Sequence, residues 1–354
     1  MMSRCTGCGI LALVLLLLQG CADSPAPEGG KAEPAKASAG RKQVQFVGFD
    51  ASEPLVHAMK QRRLQGVVVQ NPLRMGETAV KTLVAHLEKQ EVPAKVSTGE
   101  TLVTPDNMTS SEIVPLINPP KADNHTQGSL AGAKSKKWRV IVIPKGTTHE
   151  FWKSLHAGAL KAASELGNVE VVWQGPQKED DRLQQIELVQ NAIATGVDGI
   201  VLAPLDAKAL VSPVEHAISK GIPVVVIDSA IETSKIVSYV ATDNYHGGVL
   251  AAKRLGELLG GEGKIILLRY AVGSESTEQR EKGFTDTIKN EFPKITYLSD
   301  TEYAGATSDS AQQKAQSLVT RFRGQVDGIF CPNESSTLGM LRALEGAGML
   351  ASQP

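Results

Sequence analysis

Residues 138–174 read WRVIVIPKGTTHEFWKSLHAGALKAASELGNVEVVWQ: an apolar strand, an amphipathic helix closed by Gly167, and a second apolar strand. Both strands are near-continuous runs of Val and Ile rather than alternations, the pattern of a parallel sheet covered on both faces. The unit then repeats. A helix over 181–196 leads to DGIVLAP (198–204), and a helix over 207–221 leads to IPVVVID (222–228). Gly167, Gly196 and Gly221 stand where such helices close in a left-handed turn. The expectation is a doubly wound α/β lobe.

A second series begins after Asp243. A helix over 245–260 precedes GKIILLR (263–269), one over 276–292 precedes ITYLSD (295–300), and one over 308–322 precedes DGIFCPN (327–333) and a last helix over 336–348. Three parallel strands make a thin sheet. The missing material lies at the other end of the chain, in VQFVGFD (44–50), PLVHAMKQR (54–62), LQGVVVQN (64–71), MGETAVKTLVAHLEKQ (75–90) and KVSTGETLVTPDN (95–107).

The flanks have a different character. Arg4, the apolar run Ile10–Leu18 and Leu18-Gln19-Gly20-Cys21 read as an export signal too short to span a bilayer. Its ending resembles a bacterial lipobox, so Cys21 is expected to carry the lipid. Cys5 and Cys8 fall in the segment that would be removed, which leaves Cys331 without a partner for a disulfide. Residues 22–42 are rich in Ala, Pro, Gly, Lys and Glu and read as a flexible tether; 119–137 read as a linker. With 42% hydrophobic and 21% charged residues the chain has ample core material, and its net charge of −1 leaves no footprint for nucleic acid.

These residues together resemble the type I periplasmic sugar-binding proteins, the ribose-binding group of receptors for ABC importers. That family would run from 138 to 354 and then from 41 to 118, so the resemblance implies a circular permutation whose old ends are bridged by 119–137. A bridge of about 19 residues at roughly 3.3 Å each reaches some 60 Å, enough for a small two-lobed protein. The implied fold is α/β, two doubly wound parallel-sheet lobes joined by a three-crossing hinge near 241–243, 70–72 and 97–100. One lobe comprises 71–99 and 138–242; the other comprises 43–70, 100–118 and 243–354.

The resemblance also implies a site at the carboxyl ends of the strands. Phe151 and Trp152 in THEFWKSL would stack on a sugar ring, with His149 where Asn is usual and Glu150 where Pro is usual. Asp228 after IPVVVI and Asp50 in VGFD would accept from hydroxyls, Arg280 in STEQREKGF would donate, Tyr303 in DTEYAG would stack, and Asn333 and Gln70 would add polar contacts. Ser229 stands where ribose binders have Arg, which weakens any claim for ribose itself. Structural roles compete at each position: a helix cap for the aspartates, core packing for Phe151 and Trp152, an ion pair for Arg280, and an exposed loop for His149.

An enzyme is not expected. The chain lacks GxSxG, HExxH and paired-cysteine metal spacings, and GGEGK (260–264) lacks both the first Gly and the hydroxyl of a phosphate loop. No cofactor is expected, and an export signal excludes a DNA-binding repressor of the same fold. What remains is a monomeric extracytoplasmic lipoprotein that captures a monosaccharide or polyol for an importer's membrane permease. The alternative is a sensor of the same fold that signals to a membrane kinase or chemoreceptor.

Overall fold

The computed structural model describes residues 43–122 and 137–350; the expected signal segment with Cys5, Cys8 and Cys21, the tether and most of the bridge lie outside the described residues. Ahead of the bridge come β1 (Gln45–Phe49), α1 (Glu53–Lys60), β2 (Gly66–Gln70), α2 (Pro72–Leu87), β3 (Lys95–Ser97), β4 (Glu100–Val103) and the short α3 (Val114–Ile117). After it come β5 (Trp138–Ile143), α4 (Glu150–Leu166), β6 (Val169–Trp173), α5 (Arg182–Ala194), β7 (Gly199–Leu202), α6 (Val211–Ser219), β8 (Val224–Ile227) and β9 (Ser238–Ala241). The last run is α7 (Asn244–Leu258), β10 (Glu262–Leu267), α8 (Glu275–Glu291), β11 (Lys294–Ser299), α9 (Ser308–Arg321), β12 (Gly328–Phe330) and α10 (Glu334–Gly346).

Two six-stranded sheets form two lobes. The first is ordered β3-β9-β8-β7-β5-β6 and the second β11-β10-β12-β1-β2-β4. The early segment thus sits inside both. β1 lies parallel between β12 and β2, with Phe46 opposite Ile329 and Val47 opposite Gly66, while β3 adds a parallel edge to β9. Each sheet is buried on both faces, as its Val/Ile runs require. In the second lobe Phe46, Leu55 and Leu344 pack on one side of the sheet, while Val47, Phe49, Leu255 and Phe284 pack on the other.

Two details depart from the sequence expectation. β4 runs antiparallel to β2, pairing Val68 with Leu102, because the chain crosses from the first sheet to the second between β3 and β4, past Gly99 (φ 85°), and so enters the second sheet beside Gln70, at the carboxyl end of β2. β9 is a strand that sequence reading passed over; SYVA is short and carries polar residues on both sides. The three crossings between lobes lie side by side. The Thr242 hydroxyl donates to Gln70 Oε1 (2.9 Å), the Asp243 amide donates to Glu100 Oε2 (3.2 Å), and His246 Nδ1 lies 2.8 Å from Glu100 Oε1.

Helices approach closely where glycines face one another. A Cβ on Gly76 of α2 would overlap the Leu155 carbonyl of α4, and one on Gly158 of α4 would overlap the Leu73 carbonyl of α2. α7 and α8 repeat the device in the second lobe, with Gly248 against the Arg280 carbonyl and Gly283 against the Tyr245 carbonyl. This contact fixes where α8, and with it Arg280, sits above the sheet.

Candidate interlobe binding site

Strand ends of the two lobes face each other, and their charged side chains converge there. Asp50 follows β1 and Asp228 follows β8; both take left-handed backbone angles (φ 65° and 61°) that a residue with a side chain adopts only at a cost. Two such residues stand in equivalent places, one per lobe, and both are buried. Neither caps the helix that follows. Ser52 takes the cap position of α1, and Asp50 instead accepts from the Glu334 amide at the start of α10 (3.2 Å) and from Gln70 Nε2 (2.7 Å).

Arg280 lies between the two carboxylates. Its Nε donates to Asn244 Oδ1 (2.8 Å), Nη1 donates to the Pro332 carbonyl (3.0 Å), and the guanidinium sits 4.1 Å over the Phe49 ring. Nη1 is 3.9 Å from Asp50 and Nη2 is 3.8 Å from Asp228. Buried though it is, Nη2 makes no hydrogen bond among the described residues. A guanidinium so tightly fixed, with one donor left over, is an arrangement ready for an external acceptor.

The aromatic pair opens α4. Phe151 and Trp152 meet edge to face at 4.8 Å, and Trp152 Nε1 donates to Glu179 Oε1 (2.6 Å). Glu179 also accepts from the Tyr270 hydroxyl of the other lobe (2.6 Å) and pairs with His149 Nδ1 (2.7 Å). Burial alone would raise the Glu179 carboxyl, but His149, Lys145 and the Tyr270 hydroxyl hold it down at about 2. Burial likewise opposes charge on His149, yet the Glu179 carboxylate outweighs it and keeps the imidazolium to about 9. Burial raises Asp50 against the pull of Arg280 and Gln70.

Eight of the nine sequence-expected ligand contacts line this cluster: Asp50, Gln70, His149, Phe151, Trp152, Asp228, Arg280 and Asn333. Gln70 is held between Asp50 and Thr242. Asn333 is the N-cap of α10, its Oδ1 accepting from the Ser336 amide (3.2 Å), so its amide serves the helix as well as the cleft. The structure does not bring Tyr303 here. That residue follows β11, the outermost strand of its sheet, where it bridges Arg269 and is 41% exposed. Sequence reading missed Lys145, Glu179, Tyr270, Ser276 and Glu334. Lys145 and Tyr270 lie just past the ends of β5 and β10, so the strand-end rule that singled out Asp50 and Asp228 reaches them too. Among the described residues no cluster of His, Cys, Asp and Glu could hold a metal ion.

The space enclosed by these groups is about 30 Å³, room for about one water, so a larger molecule enters only when the lobes part. A cavity of about 520 Å³ adjoins it beside α1 and α3, sharing Asp50, Gln70 and Phe151.

Glu334 supplies a pH test of this geometry. Burial pushes its carboxyl up to about 7, with His149 pulling down and Asp50 pushing up. A carboxyl raised from 4.5 in the unfolded chain to about 7 favours the folded state fully below pH 4.5, and that contribution is lost as pH rises through 7. The difference amounts to about 3 kcal/mol. Glu334→Gln, which cannot ionise, should therefore melt near the wild type at pH 4.5 and roughly 5–10 °C above it at pH 8. Equal melting temperatures at both values would show that Glu334 is not buried against Asp50.

Two α/β lobes, three adjacent crossings and a polar cleft at the strand ends make the architecture of a type I periplasmic binding protein. Residues 140–354 match the family of the periplasmic binding protein domain, and the chain belongs to that family. It is 31% identical over 185 residues to the xylitol-binding protein of Mycolicibacterium smegmatis, covering 52% of each chain. It is 28% identical over 216 residues to the ribose import binding protein of Bacillus subtilis, covering 60% of this chain and 67% of that one. Among solved structures, an ABC transporter solute-binding protein from Agrobacterium vitis with bound D-fucose superposes with a TM-score of 0.57 at 34% identity, over 60% of this chain and 73% of that one. The chain thus spans about half the length of the xylitol-binding relative and two thirds of the ribose-binding one.

Proposed function

We propose that this chain is an extracytoplasmic receptor that captures a neutral monosaccharide or related polyol between its lobes, closes over it by hinge rotation and presents it to an ABC importer. The observation that carries the reading is Arg280, fixed on three sides with a spare donor between two carboxylates. Donor and acceptors side by side suit vicinal hydroxyls, which accept and donate at once. Charge balance favours an uncharged ligand, since Lys145, His149 and Arg280 are each already matched with Asp228, Glu179 or Asp50. Phe151 and Trp152 would cover the apolar face of the ring. The groups bind and orient, and the reading assigns no chemical step.

We also infer that the chain order is a circular permutation. The family match occupies one continuous stretch from 140, while β1, β2 and β4, together with α2 and β3, complete both lobes from the other end of the chain. Lipid attachment at Cys21 rests on the Leu-Gln-Gly-Cys sequence, and mass spectrometry of the mature chain would show whether an acylated cysteine leads it.

Isothermal titration with D-ribose, D-allose, D-arabinose, D-fucose, D-tagatose, xylitol and a set of amino acids tests the ligand class. One of the polyols should bind with micromolar or tighter affinity; binding of amino acids alone would end the sugar reading. The same titration on a chain joined in the order 138–354 then 41–118 should match within about tenfold. A rejoined chain that does not fold would end the permutation reading.

A further inference from the structure

We propose that Lys145 is a specificity-determining residue of the cleft, its ammonium donating directly to one oxygen of the bound polyol. This assignment rests on the polyol reading above. Lys145 stands two residues past β5 and is 3% exposed. Its Nζ lies 2.6 Å from Ser229 Oγ, 2.8 Å from Asp228 Oδ2, 3.1 Å from Ser276 Oγ and 3.3 Å from Ser274 Oγ.

These four oxygens divide by lobe. Asp228 and Ser229 belong to the first lobe, as Lys145 does; Ser274 and Ser276 stand at the start of α8 in the second. When the lobes part, the first-lobe partners stay and the two serines leave. An ammonium has three N–H groups, so at least one is then left pointing into the cleft beside the Asp228 carboxylate. A hydroxyl arriving there can accept from Lys145 and donate to Asp228, and when α8 swings back Ser276 closes over the same corner. Ser276 also donates to Asp228 Oδ2 (3.5 Å), and the Ser229 hydroxyl donates to Ser276 Oγ (2.8 Å), so the corner is polar on every side.

Size explains why a lysine fills this role. The small side chain at Ser229 leaves room for a compact ammonium that reaches over from the end of β5, two strands away, whereas a planar guanidinium at 145 would have to displace Ser229 or Ser276. An ammonium is a point donor that suits a single oxygen, without the paired geometry of a guanidinium. Arg280 holds the other side of Asp228, so the ligand is gripped by two different cations sharing one carboxylate. The ranking among sugars should then depend on which oxygen each can place at the Lys145 corner.

The test is titration of the full chain with D-ribose, D-allose, D-arabinose, D-fucose, D-tagatose and xylitol, for the wild type, Lys145→Met and Lys145→Arg. The sugar that the wild type binds tightest should bind about 100-fold more weakly to Lys145→Met. Lys145→Arg, which keeps the charge and changes the shape, should reorder the panel rather than weaken every member equally, an effect that mere loss of folding cannot produce. Binding to Lys145→Met within threefold of the wild type and in the same order would overturn the assignment and leave the polyol site standing. A wild type that binds none of the six would overturn the polyol reading and this assignment with it. Should Lys145→Met not fold, an unchanged order in Lys145→Arg is enough to overturn it.

Discussion

Arg280→Ala should bind no sugar measurably, a loss of at least a thousandfold, while its ligand-free melting temperature stays within a few degrees of the wild type. Three observations set that size. The guanidinium carries a donor with no protein acceptor, so substitution removes a charge-assisted bond to ligand of about 1.5–3 kcal/mol. It is also the cation between Asp50 and Asp228; without it, closing the lobes brings two buried carboxylates together with only Lys145, on the other side of Asp228, to offset them. Finally, its bonds to Asn244 and the Pro332 carbonyl hold the side chain in place ahead of binding, so no ordering cost is deferred to the ligand. Together these exceed about 4 kcal/mol, or a thousandfold. The fold depends less on this residue, because the sheet beneath it is packed by Phe49, Phe284 and Phe330 regardless. Titration and scanning calorimetry on one preparation separate the outcomes. Melting that falls in step with binding, by 10 °C or more, would make Arg280 a structural ion pair.

The lobes were legible in the sequence because strands buried on both faces have no choice but to be apolar throughout. VIVI, GIVL and VVVI announce themselves, and so does VQFVGF at the far end of the chain. Direction is another matter. Nothing in ETLV distinguishes an antiparallel strand from a parallel one; the reversal follows from the crossing between lobes, which delivers the chain to the second sheet at the carboxyl end of β2. β9 escaped notice because SYVA has too few apolar residues to stand out from its loops. In the cleft, Asp50 and Asp228 were legible as acids at the ends of buried strands, where a helix cap was the competing role, and the structure gives the cap of α1 to Ser52. Lys145 obeys the same logic and was passed over, since a lysine after Pro144 also reads as an exposed loop residue. Glu179 lies in the acidic run KED, which looks solvated until His149, Trp152 and Tyr270 are seen to surround it. Tyr303 shows the converse: an aromatic in a plausible loop is carried away from the cleft because its strand ends the sheet.

Gly76→Val should destabilise the chain by more than about 4 kcal/mol and lower its melting temperature by at least 10 °C. The cause is geometric. The first added carbon would overlap the backbone of α4 at Leu155, and the glycine facing it from α4, Gly158, meets the backbone of α2 in turn. Neither neighbour is a flexible side chain that can swing away, so the helices must separate along their whole contact. That parts Met75, Ala79 and Leu83 from Leu155, Ala159 and Ala162, which are all fully buried together in the core of the first lobe. The effect reaches the cleft as well, because α4 carries Phe151 and Trp152 at its start. Gly346 is the internal control: it closes α10 with nothing near its missing side chain, and Gly346→Ala should be neutral or stabilise by up to about 1 kcal/mol. Because α2 reaches this lobe from the far side of the bridge, Gly76 also tests which lobe the early segment completes. If Gly76→Val melted like the wild type, α2 would not be packed on α4, and the first lobe would have to be completed by other residues.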